Sequence, residues 1–122
     1  MAPPLVYKIC PRTAWEVALA RGAYEGSADD RRDGFIHLST GAQVEATALK
    51  HFGGQRDLVL VALDAAALDD AALRYEPSRG GALFPHLYGP LPTGAALWAE
   101  PLPLDQGGAF VLPDRFRTDE TR

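Results

Sequence analysis

Cysteine is nearly missing from this chain of 122 residues, where Cys10 stands alone. A single thiol excludes an intrachain disulfide, and a reducing compartment is the simpler setting for it. Long apolar runs are missing too: none approaches the ~20 residues needed to cross a bilayer. The opening MAPPLVYKIC also lacks the basic start and apolar stretch of a signal peptide. Nor is there an excess of basic residues. Twelve Lys and Arg stand against 16 Asp and Glu, which gives a net charge of -4 and a pI of about 5.2. A general nucleic-acid or anionic-membrane binder carries a basic face, so this balance argues against both, while leaving room for a few arginines around one phosphate. The expectation is a soluble, cytoplasmic, bacterial-style small protein. Nothing in the sequence specifies an oligomeric state.

Several motifs are absent as well. No GxGxxG opens a helix and no GxxxxGK[ST] occurs, so neither a Rossmann nor a P-loop reading has support. His37, His51, His86 and Cys10 stand at none of the spacings H-E-x-x-H, C-x-x-C or H-x3-H, so no metal is expected. Cys10 falls late in an apolar strand, where cysteine serves as a small hydrophobe rather than a nucleophile.

What is present is globular: 47% hydrophobic and 23% charged residues. The length fits one domain, 1–122, with a core over about 5–112 and a polar tail from 113 that is expected to fray. Residues 5–10 (LVYKIC) alternate as an opening strand, with Val6, Lys8 and Cys10 on one face and Leu5, Tyr7 and Ile9 on the other. Thr13 and Glu16 have capping-box spacing before a helix that runs to Arg21, with Trp15, Ala18 and Leu19 on its inner face and Gly22 as its C-terminal cap. Residues 23–32 read as a polar connection. Asp33-Gly34 is a turn pair, and Phe35 to Leu38 is a short strand with Ile36 and Leu38 on one face and Phe35 and His37 on the other. Thr40 and Gln43 form a second capping box before a helix that Gly53-Gly54 closes. Residues 57–63 (DLVLVAL) are apolar on both faces, as in an inner strand. One helical turn follows, then a strand over 73–76, a Gly/Pro-punctuated loop over 77–89 with a brief strand at 86–88, and a last core strand around Leu97 and Trp98. The order predicts an α+β fold with two small mixed or antiparallel sheets and two main helices.

Two constellations carry chemistry. His37, Ser39 and Thr40 gather at a strand-to-helix junction, where unpaired N–H groups favour an anion. His37 is able to bond a ligand or move protons there, or to be tied to a neighbouring carbonyl, and Thr40 to serve as a cap alone. The second is Ser78-Arg79-Gly80-Gly81 with Phe84 to Gly89. Paired glycines let backbone approach a ligand closely, and the Arg79 guanidinium suits phosphate or carboxylate. His86 and Tyr88 alternate with Leu87 and point to one side. Glu76 and Glu100 flank this loop as candidate bases or ribose contacts.

Together the segments Tyr7-Lys8-Ile9, GFIHLS (34–39), DLVL (57–60) and SRGG-x-x-FPHLYG (78–89) resemble the bacterial family catalogued as domain of unknown function 952 (DUF952), over about residues 5–104. More distantly, HLSTGAQVEATALKHF followed by DLVLVALDAAAL is similar to a stretch of the RNA 2′-phosphotransferases, relatives of the ADP-ribosyltransferases. That likeness implies an ADP-ribosyltransferase-like fold, two small sheets with a cleft between the 33–40 and 78–89 segments, and NAD or another ADP-ribose-containing molecule as ligand. It matches His37 and Ser39 to strand-end positions and Asp64 to the aspartate after the apolar strand. On this reading His37, Glu76 and His86 are the catalytic candidates. Ser39, Thr40, Ser78, Arg79, Gly80, Gly81, Tyr88, Tyr24 and Tyr7 are the ligand-binding ones. The early strand offers Tyr7 and Lys8 where those enzymes carry His or Arg, so whether the chain is an enzyme stays open. The alternative is a non-catalytic small-molecule- or protein-binding domain on the same cleft.

Overall fold

A computed structural model of the chain describes residues 5–120, except for the side chain of Arg79. Its centre is β4 (Leu58–Asp64), the most apolar stretch of the sequence. β4 lies between β1 (Leu5–Pro11) and β8 (Ala96–Pro101), antiparallel to both. Apolar side chains on both faces of an inner strand must be covered twice, and they are. Val59, Val61 and Leu63 join Val6, Cys10 and Trp15 in one core, while Leu58, Leu60 and Ala62 join Tyr7, Ile9 and Trp98 in the other. The two faces divide as the alternation in the sequence predicts.

The first core is closed by α1 (Arg12–Arg21), by the two-stranded β2–β7 ribbon (Ala23–Tyr24 with Leu91–Pro92) and by a third sheet. That sheet has the order β3-β6-β5, with β3 at Ile36–His37, β5 at Leu73–Pro77 and β6 at Leu83–Leu87. The second core is closed by α3 (Val44–Phe52) and α4 (Asp114–Glu120). The chain is therefore α+β with antiparallel sheets. Among the described residues there are three sheets and four helices, where two of each were expected.

Four further expectations need correction. The helix α1 begins directly from β1 at Pro11 without a side-chain cap, so Thr13 is already inside it, and Glu16 pairs with Arg12 at 2.8 Å instead. Leu19 and Leu97 are exposed; the inner positions on their elements belong to Trp15 and Ala18, and to Trp98. The segment 83–87 forms a full strand despite Pro85. Proline is tolerated there because its carbonyl accepts from Leu38 N–H at 3.0 Å, and its missing N–H coincides with the end of the β3 ladder at His37. Finally, 114–120 is a helix and not a frayed tail. Phe116 is buried edge-on against Tyr7 at 5.2 Å, Trp98 Nε1 donates to Asp119 at 2.8 Å, and the Tyr7 hydroxyl donates to Glu120. Apolar burial with two side-chain hydrogen bonds outweighs the polar look of that stretch.

Candidate functional site

Residues 23–33 build the site, although their sequence reads as a connection. After β2, Gly26 adopts φ 107°, and Ser27 starts α2 (Ala28–Asp33) with a capping box. Asp30 N–H donates to Ser27 Oγ at 3.1 Å, while Ser27 N–H donates to Asp30 Oδ2 at 2.8 Å. Gly34, at φ 87°, ends the helix and turns the chain into β3. The box points the Asp30 carboxylate inward, where it is 2% exposed.

That carboxylate organises its surroundings. It accepts from Lys8 Nζ at 3.0 Å, from His37 N–H at 3.0 Å and from Ser27 N–H, and His37 Nδ1 lies 2.6 Å away. Burial alone raises the Asp30 carboxyl, but the His37 ring, the Lys8 ammonium and the two backbone N–H groups outweigh it. They hold the group well below the usual carboxylate range. Lys8 also donates to the His37 carbonyl at 3.0 Å. His37 Nε2 lies 2.9 Å from Asp33, so both ring nitrogens face carboxylates and neither is left for a ligand.

The outer face of the third sheet continues the site. Its register sets His37, His86 and Arg74 in one cross-strand row. His86 is buried, its Nδ1 2.8 Å from Glu76 Oε1, and Phe35 stacks on the ring at 3.9 Å. Tyr88 donates to the same Glu76 oxygen at 2.7 Å. The Tyr88 hydroxyl first, and then His86, lower the Glu76 carboxyl below its ordinary range.

A cleft of about 600 Å³ opens between α2 and the third sheet on one side and α3 on the other. Its floor is the free edge of β1. In an antiparallel pair, successive residues turn their backbone groups alternately towards and away from the partner strand. Tyr7 points its N–H and C=O away from β4, bonding Ser39 at 2.8 and 2.9 Å. Ile9, two residues on, therefore directs its own N–H and C=O the same way. Neither finds a partner among the described residues, and Ile9 lines the cleft.

The cleft brings together six of the residues singled out from sequence: Tyr7, Tyr24, His37, Ser39, Ser78 and His86. Tyr7 contributes only at the margin, because its hydroxyl is committed to Glu120 in the second core. Ser39 Oγ bonds Thr47 at 3.3 Å. Thr40 is outside the cleft walls and keeps its capping role, its N–H donating to Gln43 Oε1 at 3.0 Å. Glu76 and Tyr88 stand behind His86. Gly80 and Gly81, at φ 76° and 83°, form the exposed turn beyond Ser78, and the Arg79 side chain lies outside the described residues. Asp64 caps a 3-10 turn, accepting from Ala66 N–H at 3.0 Å, and Glu100 meets Arg115 of α4 at 3.5 Å. Residues not predicted for the site are Lys8, Ile9, Asp30, Asp33, Phe35 and Lys50. Lys50 lines the cleft without a carboxylate partner among the described residues. The signal for Asp30 was Ser27-x-x-Asp30, a capping box directly after a glycine. Among the described residues no group of three or more His, Cys, Asp or Glu is placed to hold a metal ion, and no helix is long and apolar enough to cross a membrane.

The profile of a family described as protein of unknown function (DUF952) matches residues 9–99. The crystal structure of protein CC0527 from Caulobacter crescentus is similar over 93% of this chain and 98% of that one, at 49% identity and a TM-score of 0.86. Its solution NMR structure is similar over 92% and 96%, at 49% identity and a TM-score of 0.80. Among curated proteins nothing matches the chain.

Proposed function

The chain belongs to the DUF952 family of proteins of unknown function, and from the geometry of its cleft we propose that it binds a nucleotide of the NAD or ADP-ribose type. The observation that carries this reading is the unpaired N–H and C=O of Ile9 on the cleft floor. A donor and an acceptor side by side on one residue complement a carboxamide, such as that of nicotinamide. The volume, about 600 Å³, is in the range of ligand sites that enclose a molecule of this kind. Lys50, on the cleft wall, supplies a cationic group for phosphates. The resemblance of residues 37–52 and 57–68 to the RNA 2′-phosphotransferases, read from the sequence, implies the same ligand class.

One observation favours binding without group transfer. Glu76, the carboxylate suited to an oxocarbenium-like state, is engaged by His86 and Tyr88, and both nitrogens of His37 face carboxylates. On this second reading the cleft senses or carries its ligand.

Thermal melting with NAD, ADP-ribose, nicotinamide and inorganic phosphate tests the proposal. A ligand at a hundred times its Kd stabilises by about 2.7 kcal/mol, which for a chain of this length raises Tm by roughly 8–15 °C. NAD and ADP-ribose are expected to raise it, and nicotinamide is expected to move the Ile9 amide resonance. No shift with any adenine nucleotide at millimolar concentration refutes the proposal. Binding of NAD without release of nicotinamide over hours selects the second reading.

A further inference from the structure

Two cleft side chains are more than nine-tenths buried and still have a polar atom without a partner. Tyr24 is 4% exposed and His86 is 5% exposed. Neither the Tyr24 hydroxyl nor His86 Nε2 makes a hydrogen bond among the described residues, and no partnerless side-chain N or O atom of the described residues is fully buried. Both atoms must therefore reach accessible space, and both residues line the cleft. The rest of each side chain is held. The Tyr24 ring meets Trp15 at 6.4 Å and lies beneath Lys8 Nζ at 5.7 Å. His86 is fixed by the Phe35 stack on its face and by Glu76 at Nδ1. The Glu76 carboxylate can only accept from that nitrogen, so the ring donates through Nδ1, and in the neutral ring Nε2 is then an acceptor. The two facing histidines thus differ in kind: their ring centroids are 5.8 Å apart, yet His37 has both nitrogens committed and His86 has one free.

We infer that His86 Nε2 and the Tyr24 hydroxyl are the ligand contacts for a sugar hydroxyl, with His86 accepting its hydrogen bond and Glu76, braced by Tyr88, acting as the positioning residue that fixes the tautomer. This rests on the nucleotide reading above and names the part of the ligand that this end of the cleft takes. The site is built before any ligand arrives. Its acceptor is preset by a carboxylate behind the ring, and its walls are aromatic. A hydroxyl matches a preset acceptor, whereas an acceptor-only anion such as sulfate has no hydrogen to donate to Nε2.

Two-bond ¹H–¹⁵N correlation on protein labelled with ¹⁵N-histidine tests the assignment. Wild-type His86 is expected to carry its proton on Nδ1 with Nε2 bare, the reverse of the preference of a free histidine side chain. Glu76→Leu, which removes the acceptor, is expected to move the proton to Nε2, with β4 amide resonances reporting that the fold is kept. A wild-type His86 with its proton on Nε2 overturns the inference, whether or not any variant folds. Addition of ADP-ribose or D-ribose is expected to shift the Nε2 resonance, and sulfate, which has no O–H to donate, to leave it in place. Tyr24→Phe is expected to weaken ADP-ribose about five- to tenfold without moving the His86 proton. If ADP-ribose raises Tm yet leaves Nε2 unmoved, the hydroxyl contact is wrong and the nucleotide reading stands. If Tm does not respond but D-ribose moves Nε2, the nucleotide reading is wrong and the hydroxyl contact stands. Silence of Nε2 towards both sugars overturns the contact.

Discussion

Lys8 and Asp30 form an ion pair in which both side chains are at least 94% buried, since 6% and 2% of them are exposed. Two charges leave water only when each finds partners, and here the carboxylate has four and the ammonium has two. Removing one member strands the other. Lys8→Met is expected to cost about 3–5 kcal/mol, seen as a lower urea midpoint with an unchanged m-value. A loss below about 1 kcal/mol means that the pair is not buried as described. Cys10, next to this network on β1, sets a second prediction. Burial, only partly offset by the Lys8 charge, pushes its thiol up from 9.0 to about 11. Between those values the unfolded chain releases a proton that the folded chain keeps. Stability therefore falls as pH rises through that window, by on the order of 2 kcal/mol in all. Cys10→Ala is expected to flatten the decline, measured as urea midpoints from pH 8 to 11; an equal decline in both proteins removes Cys10 as its cause.

At the scale of elements, legibility followed periodicity. β1 and β4 were readable, down to which side chains share a face, because strands of six or seven residues alternate long enough to declare themselves. β2, α2 and α4 were not, since two strand residues carry no period and six or seven helical residues make fewer than two turns. Their existence depends on capping and docking, which are tertiary facts. The junction at 40–43 is legible in the sequence, because its cap is local to Thr40 and Gln43. The cleft itself was half legible: His37 and His86 stood out by residue type, but Ile9 contributes backbone, which no side-chain motif announces. α4 yields the prediction at this scale. A Cβ added at Gly41 would overlap the Glu120 carboxylate that accepts from Tyr7. The side chain of Glu120 is flexible enough to move, so Gly41→Ala is expected to break that bond, at about 1 kcal/mol. Tyr7→Phe is expected to cost a similar amount alone and almost nothing more in the Gly41→Ala background. Additive losses in this double-mutant cycle refute the coupling.

For the molecule as a whole, β4 is shared by both cores while the third sheet belongs to one. Leu60, Val61, Ala62 and Leu63 are fully buried, and loss of either core exposes two of them. β5, in contrast, is an edge strand in which only Leu73, among the partly buried residues, packs against the first core, and Tyr75 is exposed. Local opening is set by how much apolar surface and how many backbone bonds a segment must give up. Opening β5 costs one ladder with β6 and little burial, so it needs far less free energy than global unfolding. The wall that carries Glu76 is then the part of the cleft that opens most readily, and His86 loses its brace each time it does. Native-state hydrogen exchange should show β4 amides exchanging only through global unfolding, with their protection falling in step with denaturant. β5 amides should exchange through a smaller opening that is nearly independent of denaturant. A ligand that bonds His86 holds this wall closed, so saturation should raise β5 protection by the full binding free energy wherever the open form cannot bind. Equal protection of β4 and β5 in the free protein would mean that the fold opens as one unit and that the cleft wall has no separate motion.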